Sequence, residues 1–406
     1  MKSGSDFLLA ALQCEIAELE HLAQTGELVG VIAGFIHALQ RERGMCSIFL
    51  SSRGTHFARE REQQVAECEA AEARIRMHLD GLDTGASHAR NGSRLFSRVA
   101  VVLHGLEGLP LLRTRIRRHA LAAGEATAAF SKLIGGLLSV VFEAADSASD
   151  PEVTRALVAM FNYMQGKEFA GQERALGARV FAAGYVDGAG QQQWRHLIDS
   201  QQGCFQVFAD YADPQVLQAD RATTDPAVMA QIERLRRMGC SVRGELDRQF
   251  SHEWYRWCTR RMDAMKQVED LLARHLREVC ARRIAHARAE LHDQRATLDA
   301  LSRGTSVDPA ARAPFGPHLE RSLLAMVQEQ SRRLQAIGDE LDAVRTTLNE
   351  RKVIERAKGL LMAHRHMSEE EAYKALRQMA MNQKRRLVDV SHAVLSLSDV
   401  LPGGRP

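Results

Sequence analysis

Residues 353–397 read VIERAKGLLMAHRHMSEEEAYKALRQMAMNQKRRLVDVSHAVLSL, and this stretch decides how the C-terminal end of the chain folds. Its apolar residues recur every three or four positions in three successive segments, which predicts three short amphipathic helices. Ser368, followed by Glu371 three residues later, forms a capping box that predicts the start of the second helix. No helix this short can bury its apolar stripe alone, so we expect a compact three-helix unit.

The polar side of this unit is basic. Ten Lys or Arg residues stand against five acids between Arg351 and Val390, whereas the whole chain has a net charge of only +3. Tyr373 and Arg377 are four residues apart and share a helical face, with Lys374 beside them. An aromatic ring next to a guanidinium can stack on unpaired RNA bases, while lysines meet phosphates. From charge alone, a solvated basic helix bundle remains the alternative.

Four short stretches of this unit are Ala357–Met362, Met367–Arg377, Ala380–Met381 and Arg386–Val390. Together they resemble the ANTAR domain, an RNA-binding three-helix module of bacterial transcription antiterminators. The resemblance implies binding to paired stem-loops of a leader mRNA, which prevents a terminator hairpin and so affects RNA polymerase indirectly. By resemblance, the face that meets the RNA contains Ala357, Lys358, Tyr373, Lys374, Arg377, Lys384 and Arg385.

The composition of the whole chain favours helix. Only 9 prolines occur in 406 residues, aromatic residues make up 5%, and no stretch alternates apolar and polar residues long enough to predict a strand. We therefore predict an all-α protein. Seven cysteines without Cys-x-x-Cys or zinc-type spacing fit a reducing cytoplasm. The N-terminus lacks a secretion signal and the longest apolar run, Leu133–Ala145, is too short for a bilayer, so we expect a cytoplasmic protein without membrane contact.

The periodicity also predicts the domain order. Residues 1–301 form a large helical bundle, whose first helix is expected to end near Gly26, and the Gly- and Pro-containing residues 302–318 form a linker. Residues 351–406 form the basic module. Between them, residues 319–350 carry a heptad pattern that predicts a dimerising or intramolecular coiled coil, and we expect a homodimer. An ordinary bundle helix with a narrow stripe is the alternative. The seam residues are Leu323, Val327, Leu334, Ile337, Leu341, Val344 and Leu348.

Two segments of the large bundle are similar to each other: QRERG at residues 40–44 and GQERA at residues 171–175. Aligned on Glu-Arg, they suggest two related halves packed about a pseudo-two-fold axis. Arg43 lies on the inward phase of its helix, and Arg174 is its counterpart in the second segment. Arg236 also has an inward phase, with Arg237 as the fallback.

Inward-facing arginines are informative because a buried guanidinium is costly unless an anion meets it. Internal partners such as Glu42, Glu168 and Glu173 are sufficient for any single arginine. Two or three arginines that converge from separate helices instead leave a socket for a small oxyanion. A planar anion such as nitrate fits the flat fork of guanidinium donors, as a carboxylate does.

The QRERG and GQERA segments also resemble motifs of the NIT domain, an all-helical nitrate- and nitrite-sensing module. The resemblance spans Leu28–Tyr255 and implies that arginines from both halves contact the anion. It places Arg43 and Arg174 at the ligand, with Arg236 or Arg237 as the third, and it implies nitrate or nitrite as effector without a cofactor. Sensor followed by ANTAR implies a regulator in which the anion frees the C-terminal domain to bind the leader RNA of a nitrate or nitrite assimilation operon.

Catalytic readings are not supported by the motifs present. The segment His252–Arg256 begins like a zinc-protease helix but lacks the second histidine, and Gly166-Lys167 lacks the upstream glycine of a phosphate-binding loop. We therefore expect neither an enzyme nor a metal site. Two alternatives stay open: an ANTAR regulator that senses a different small anion, and a helical coiled-coil scaffold that binds protein and no RNA.

Overall fold

The computed structural model describes residues 4–82, 89–241, 245–304, 317–365, 367 and 369–398. Within these ranges the regular structure is helical throughout and contains no strand, which confirms the predicted all-α class. The helices are α1 (Gly4–Ser51), α2 (Ala58–Asp80), α3 (Ala89–Glu107), α4 (Leu109–Arg117), α5 (Ala123–Ser147), α6 (Pro151–Ala183), α7 (Gly188–Tyr211), α8 (Pro214–Thr223), α9 (Pro226–Ser241), α10 (Phe250–Gly304), α11 (Pro317–Arg365), α12 (Glu369–Gln383) and α13 (Leu387–Ser398).

The chain divides into two compact units, residues 1–338 and 339–406. At the centre of the first unit, α1 packs against α5 and α10, and α6 packs against α10 and α5. The other helices cover this centre: α2 lies on α1, α7 on α6, α3 on α5, and α8 and α9 on α10. The order α1–α5 is thus repeated as α6–α10, in agreement with two related halves.

Helix α6 is the most deeply buried element. Its start is fixed by Asp150, whose side chain accepts a hydrogen bond from the Val153 amide, and by Pro151 at the first turn. Its end is fixed by Gly184, which adopts a φ of 72° in the left-handed region. Between these caps, most residues on all sides of the helix are buried, so its polar side chains lie inside the bundle.

Several helix boundaries differ from the prediction. Helix α1 continues through Gly26, because this glycine allows close packing against α10: a Cβ there would lie 3.3 Å from Leu276 Cδ2. The periodicity predicts one helix over residues 94–118, but the structure divides it at Gly108 into α3 and α4, with Pro110 in the first turn of α4.

Three helical segments are long and apolar enough to cross a bilayer by length and composition: Asp6–Ser51, Ser93–Arg117 and Ala123–Ser147. The expectation that Leu133–Ala145 is too short is therefore wrong, because this run belongs to a helix of 25 residues. In this structure 56% of the apolar window of α1 and 50% of that of α5 are buried inside the bundle. The same helix α1 also carries the buried Glu42 and Arg43, so it supplies both the apolar core and a polar centre.

The second unit contains the end of α11 together with α12 and α13. The heptad segment and the first helix of the basic module form one helix, since α11 runs from Pro317 to Arg365. Of the seam residues, Leu341 and Val344 are buried within a single chain. Outside the described residues lie 305–316 of the linker, Ser368 of the expected cap, and the side chains of Leu323, Val327, Leu334 and Leu348.

Candidate functional site

The two Glu-Arg segments meet inside the bundle, on α1 and α6. Arg43 is 1% exposed and Arg174 is 2% exposed. Each guanidinium lies against a glycine of the opposite helix: a Cβ at Gly171 would lie 2.5 Å from Arg43 Nη2, and one at Gly44 would lie 2.9 Å from Arg174 Nη2. The two glycines therefore provide the space in which both arginines lie between the helices.

Arg43 is paired with a carboxylate. Its two Nη atoms donate to the two oxygens of Glu168, with 3.1 Å between Nη2 and Oε2, and Nη1 also donates to Ser131 Oγ at 2.8 Å. The same carboxylate accepts hydrogen bonds from Gln40 Nε2 and Gln172 Nε2, both at 2.9 Å. Glu168 is thus surrounded by three donor side chains that satisfy both of its oxygens.

Arg174 has neutral partners instead. Its Nη1 donates to Thr259 Oγ1 at 3.0 Å, its Nη2 donates to the Gln40 carbonyl at 2.8 Å, and its guanidinium lies 5.0 Å from the ring centroid of Tyr255. Its buried Nε has no hydrogen-bond partner among the described residues. No carboxylate among the described residues forms an ion pair with Arg174. Arg174 is therefore a buried cation whose contacts are dipoles and an aromatic face.

Two further ion pairs flank the centre formed by Arg43, Arg174 and Glu168. Arg113 on α4 donates through Nε and Nη2 to Glu42, at 2.9 Å each, and Arg236 on α9 donates through the same two atoms to Glu173, at 2.7 and 2.6 Å. Burial disfavours the charged form of Arg236, but the hydrogen bonds and charge of Glu173 outweigh burial and raise its pKa. Each pair is a two-point interaction that is neutral as a whole.

The contacts repeat about the pseudo-two-fold axis. Arg43 donates to Ser131 on α5, and its counterpart Arg174 donates to Thr259 on α10. The carboxylate beside each of these arginines in sequence, Glu42 or Glu173, is held by an arginine from α4 or α9. The repeat is not exact, and one difference concerns a charge. Glu168 stands six residues before Arg174, whereas His37 stands six residues before Arg43.

His37 contributes no negative charge to replace Glu168. It lies 3.1 Å from the ammonium of the buried Lys167, which donates to Glu269 at 2.7 Å. Burial is the largest cause of its lowered pKa, followed by the charge of Lys167, and together with more distant cations they lower it to about 2. His37 is therefore neutral near pH 7, and the centre contains two guanidinium groups, Arg43 and Arg174, for one carboxylate.

Two cavities lie next to this centre. One of about 210 Å³ is bordered by Ser131 and Gln172, which contact Arg43 and Glu168 respectively, and by the exposed Arg179. The other, of about 950 Å³, is bordered by Thr259, which contacts Arg174, and by Arg261. Burial first, and then the charge of Arg236, lowers the pKa of Arg261. Both cavities thus border side chains that contact the centre.

The predicted ligand arginines have different environments. Arg43 and Arg174 come together as expected. Arg236 is buried as its helical phase predicted, but Glu173 and Glu233 already hold its donors. Arg237 is exposed, so its assignment as a fallback ligand is wrong for this arrangement, because its helical phase turns it to solvent.

Several residues of the centre were not recognised from the sequence. They include Arg113, Ser131, Thr259 and Tyr255, each on a helix other than the ones that carry the motifs. The only local signal was a Leu-Arg dipeptide at Arg113 and again at Arg236, which is too short to be recognised as a repeat.

In the C-terminal unit, the apolar stripes pack into one small core around Ala357, Leu361, Ala372, Leu376 and Val390. Ala357 is fully buried in this core, so the expectation that it meets RNA is wrong: its methyl group supports the packing. Lys358 is also largely buried and its Nζ lies 2.8 Å from Glu355.

The other predicted RNA-contact residues lie at the surface of this unit. Lys374, Arg377, Lys384 and Arg385 are exposed, and Tyr373 is half-buried. Lys384 ends α12 in the left-handed conformation with a φ of 52°, and its amide and that of Arg385 bond back to the Met381 and Ala380 carbonyls. This Schellman-type ending presents Lys384 and Arg385 side by side at the junction of α12 and α13.

Comparison with known proteins agrees with both units. A family model described as nitrate and nitrite sensing (NIT) matches residues 34–277, and the ANTAR domain model matches residues 342–395. The chain is 34% identical over 403 residues to the Nitrate regulatory protein of Klebsiella oxytoca, covering 97% of this chain and 94% of that protein. It is also similar to the solved structure of the NasR transcription antiterminator, with a TM-score of 0.62 and 33% identity over 98% of this chain and 99% of that chain. The chain therefore belongs to the family of NasR-like transcription antiterminators, in which a nitrate- and nitrite-sensing NIT domain precedes an ANTAR domain.

Proposed function

We propose that nitrate or nitrite binds at the centre formed by Arg43, Arg174 and Glu168. The observation that carries this proposal is the charge of the centre. The centre contains two buried guanidinium groups and one carboxylate, because Arg113 and Arg236 have carboxylate partners of their own and His37 is uncharged. The excess of one positive charge is matched by one monovalent anion. Such an anion relieves the cost of the buried Arg174 guanidinium, whose remaining partners are dipoles.

The donors present suit a planar oxyanion. The guanidinium fork of Arg43 and the amides of Gln40 and Gln172 present coplanar or adjustable N–H donors at the same point. The nearby cavity of about 210 Å³ is large enough for a small anion. A tetrahedral dianion such as sulfate fits this arrangement less well in both shape and charge.

The response follows from the difference between empty and loaded states. An anion can shift the bundle only by binding one arrangement of α1 and α6 better than another, and the arginines on these two helices supply that difference. The protein is a nitrate-responsive transcription antitermination regulator: the loaded sensor frees the ANTAR domain to bind a two-hairpin leader mRNA. Terminator formation is then prevented, and RNA polymerase is affected through the RNA. We further propose that the regulator acts as a cytoplasmic homodimer with no catalytic activity and no cofactor.

A gel shift with a two-hairpin leader RNA tests this function. We expect nitrate to increase the affinity of the protein for this RNA, and we expect Arg377→Ala to weaken RNA binding by about 1–3 kcal/mol if the exposed guanidinium stacks or pairs with a base. Gln378→Ala, at the next and equally exposed position, is the matched control. An unchanged affinity in Arg377→Ala would move the contact face elsewhere.

A sensor for another small anion is the second candidate. The side chain of Glu168 shows that the Arg43 fork also accepts a carboxylate. Calorimetric titration with nitrate, nitrite, sulfate and acetate separates the two candidates. We expect heat of binding with nitrate or nitrite at concentrations where acetate and sulfate give none.

A further inference from the structure

Glu168 occupies a complete oxyanion site within the bundle. Its Oε1 accepts from Arg43 Nη1 and from Gln172 Nε2, and its Oε2 accepts from Arg43 Nη2 and from Gln40 Nε2. Four hydrogen bonds from three side chains on two helices thus converge on one planar group that is 1% exposed. The buried carboxylates Glu42 and Glu173 are held in a similar way by their own arginines, but neither of the two cavities described above is bordered by Arg113 or Arg236.

The donors around Glu168 would serve a planar monovalent anion equally well. Carboxylate and nitrate share a flat arrangement of oxygens, and a guanidinium fork binds either through two parallel hydrogen bonds. The amides of Gln40 and Gln172 donate to either group. Nothing in the donor set therefore distinguishes the side chain of Glu168 from a small oxyanion that arrives from solvent.

A cavity with a basic residue at its border lies beside this point. The cavity of about 210 Å³ is bordered by Gln172, a donor to Glu168, and by Ser131, an acceptor from Arg43. Among the described residues that line this cavity none is acidic, and the one charged residue is Arg179, which is exposed. The cavity therefore extends from Arg179 to Ser131 and Gln172, which contact Arg43 and Glu168 respectively.

The pseudo-two-fold repeat provides only one such site. In the first half of the bundle the position equivalent to Glu168 is His37, which is neutral and accepts from Lys167. Arg174 therefore has no side-chain carboxylate on α1, and only Arg43 is held by an internal anion. The contacts with Ser131 and Thr259 and the pairs of Glu42 and Glu173 are repeated, whereas this position and the Gln40 and Gln172 donors are not.

We propose that Glu168 is an internal stand-in for the effector, and that nitrate competes with its carboxylate for the donors of Arg43, Gln40 and Gln172. This inference rests on the proposed function. In the empty state Glu168 holds Arg43, and in the loaded state two anions balance Arg43 and Arg174. The site is free only in the fraction of molecules in which the carboxylate has left it. The apparent affinity for nitrate is the intrinsic affinity multiplied by that fraction. Glu168 thereby sets the affinity, the stoichiometry of one anion per chain, and the two arrangements between which the bundle changes.

Nitrate titration of the full-length Glu168→Gln variant by calorimetry tests the inference. Glutamine keeps the size of the side chain but cannot compete as an anion, so we expect nitrate to bind about tenfold more tightly or better than to the unsubstituted protein. Glu42→Gln and Glu173→Gln are matched controls, because each also removes one buried, arginine-paired carboxylate. We expect them to bind nitrate no more tightly than the unsubstituted protein.

The outcomes separate this inference from the proposed function. If the unsubstituted protein binds nitrate and Glu168→Gln binds it with equal or lower affinity, the internal competitor is excluded while nitrate sensing stands. If all three Gln variants gain affinity equally, the effect is one of net charge and the inference is also overturned. If neither the unsubstituted protein nor Glu168→Gln binds nitrate, both proposals fail.

A second variant covers the case in which Glu168→Gln does not fold without an anion. Glu168→Asp keeps the charge but withdraws the carboxylate from the Arg43 fork by one methylene group. We expect it to fold and to bind nitrate with an affinity between those of the unsubstituted protein and Glu168→Gln. Affinity no higher than that of the unsubstituted protein would contradict the inference.

Discussion

Arg236 and Arg237 are neighbours in sequence with opposite environments, and this contrast has an energetic consequence. Arg236→Ala removes the partner of Glu173 and leaves a buried carboxylate uncompensated, so we expect the free energy of unfolding to fall by about 3–5 kcal/mol. Arg237→Ala removes an exposed charge and should change it by less than about 0.5 kcal/mol. Urea denaturation measures both. Equal, small effects would mean that Glu173 is hydrated in the folded protein.

His37 gives the bundle a dependence on pH. The folded pKa is lowered to about 2 from 6.5, by burial first and then by Lys167, Lys266, Arg41 and Arg174. Below pH 6.5 the unfolded chain binds a proton that the folded chain refuses, so stability falls as the pH falls. Between pH 7.5 and 5.5 this residue should account for a loss of about 1.4 kcal/mol.

Urea denaturation at these two pH values checks this prediction. We expect His37→Gln to reduce the difference in stability between pH 7.5 and 5.5 by that amount. His292→Gln, at an exposed position on α10, serves as control and should reduce it less. A pH dependence that is the same in His37→Gln and in the unsubstituted protein would show that His37 is accessible to protons when folded.

For single residues, the sequence indicates which arginines turn inward but not which side chains they contact. Helical phase depends on neighbours within a few residues, so Arg43 and Arg236 could be assigned to the interior. Their partners are separated in sequence by 125 residues for Arg43 with Glu168 and by 63 for Arg236 with Glu173. Only the packing of α1, α6 and α9 selects these partners, which is why an arginine expected at the ligand proved to be held by an internal carboxylate.

The end of α12 places a lysine where glycine is usual. Lys384 has a φ of 52°, and a residue with a Cβ is strained there. We expect Lys384→Gly to raise the free energy of unfolding by up to about 1 kcal/mol and at the same time to weaken RNA binding and reduce its salt dependence by about one charge. Thermal unfolding and RNA titrations at several salt concentrations measure the two effects.

Arg385→Gly is the control for this pair of effects. It also removes one exposed charge, but Arg385 does not have a positive φ, so glycine there should not stabilise the unit. If Lys384→Gly leaves RNA binding unchanged, the junction of α12 and α13 lies outside the RNA-contact face.

The sequence predicts the existence of the helices better than their ends and the roles of single residues within them. The apolar periodicity of the basic module was sufficient for α12 and α13. The periodicity also predicts the first helix of the basic module, but not that this helix is the end of α11. Ala357 was assigned to the RNA face by resemblance, whereas its phase within α11 places it in the core with Leu361 and Leu376. Glycine often ends a helix, which predicts an end near Gly26, but this glycine packs against α10 and α1 continues through it.

For the whole molecule, the repeat of α1–α5 in α6–α10 accounts for the position of the proposed anion site. Gly44 and Gly171 leave space between two equivalent helices, and each helix places one arginine in that space. A fully symmetric arrangement with a carboxylate in both halves would be neutral and would need no ligand. The replacement of one carboxylate by the neutral His37 leaves one positive charge, which a monovalent effector can balance.

The most direct test of the link between this centre and RNA binding is titration of the two-hairpin leader RNA with full-length Arg43→Ala and Arg174→Ala, with and without nitrate. We expect the unsubstituted protein and the exposed-site variant Arg237→Ala to bind the RNA more tightly when nitrate is present. Arg43→Ala and Arg174→Ala should remain helical by circular dichroism and show no effect of nitrate on RNA affinity. A full nitrate response in both variants would contradict the assignment of the buried guanidinium groups as the effector site.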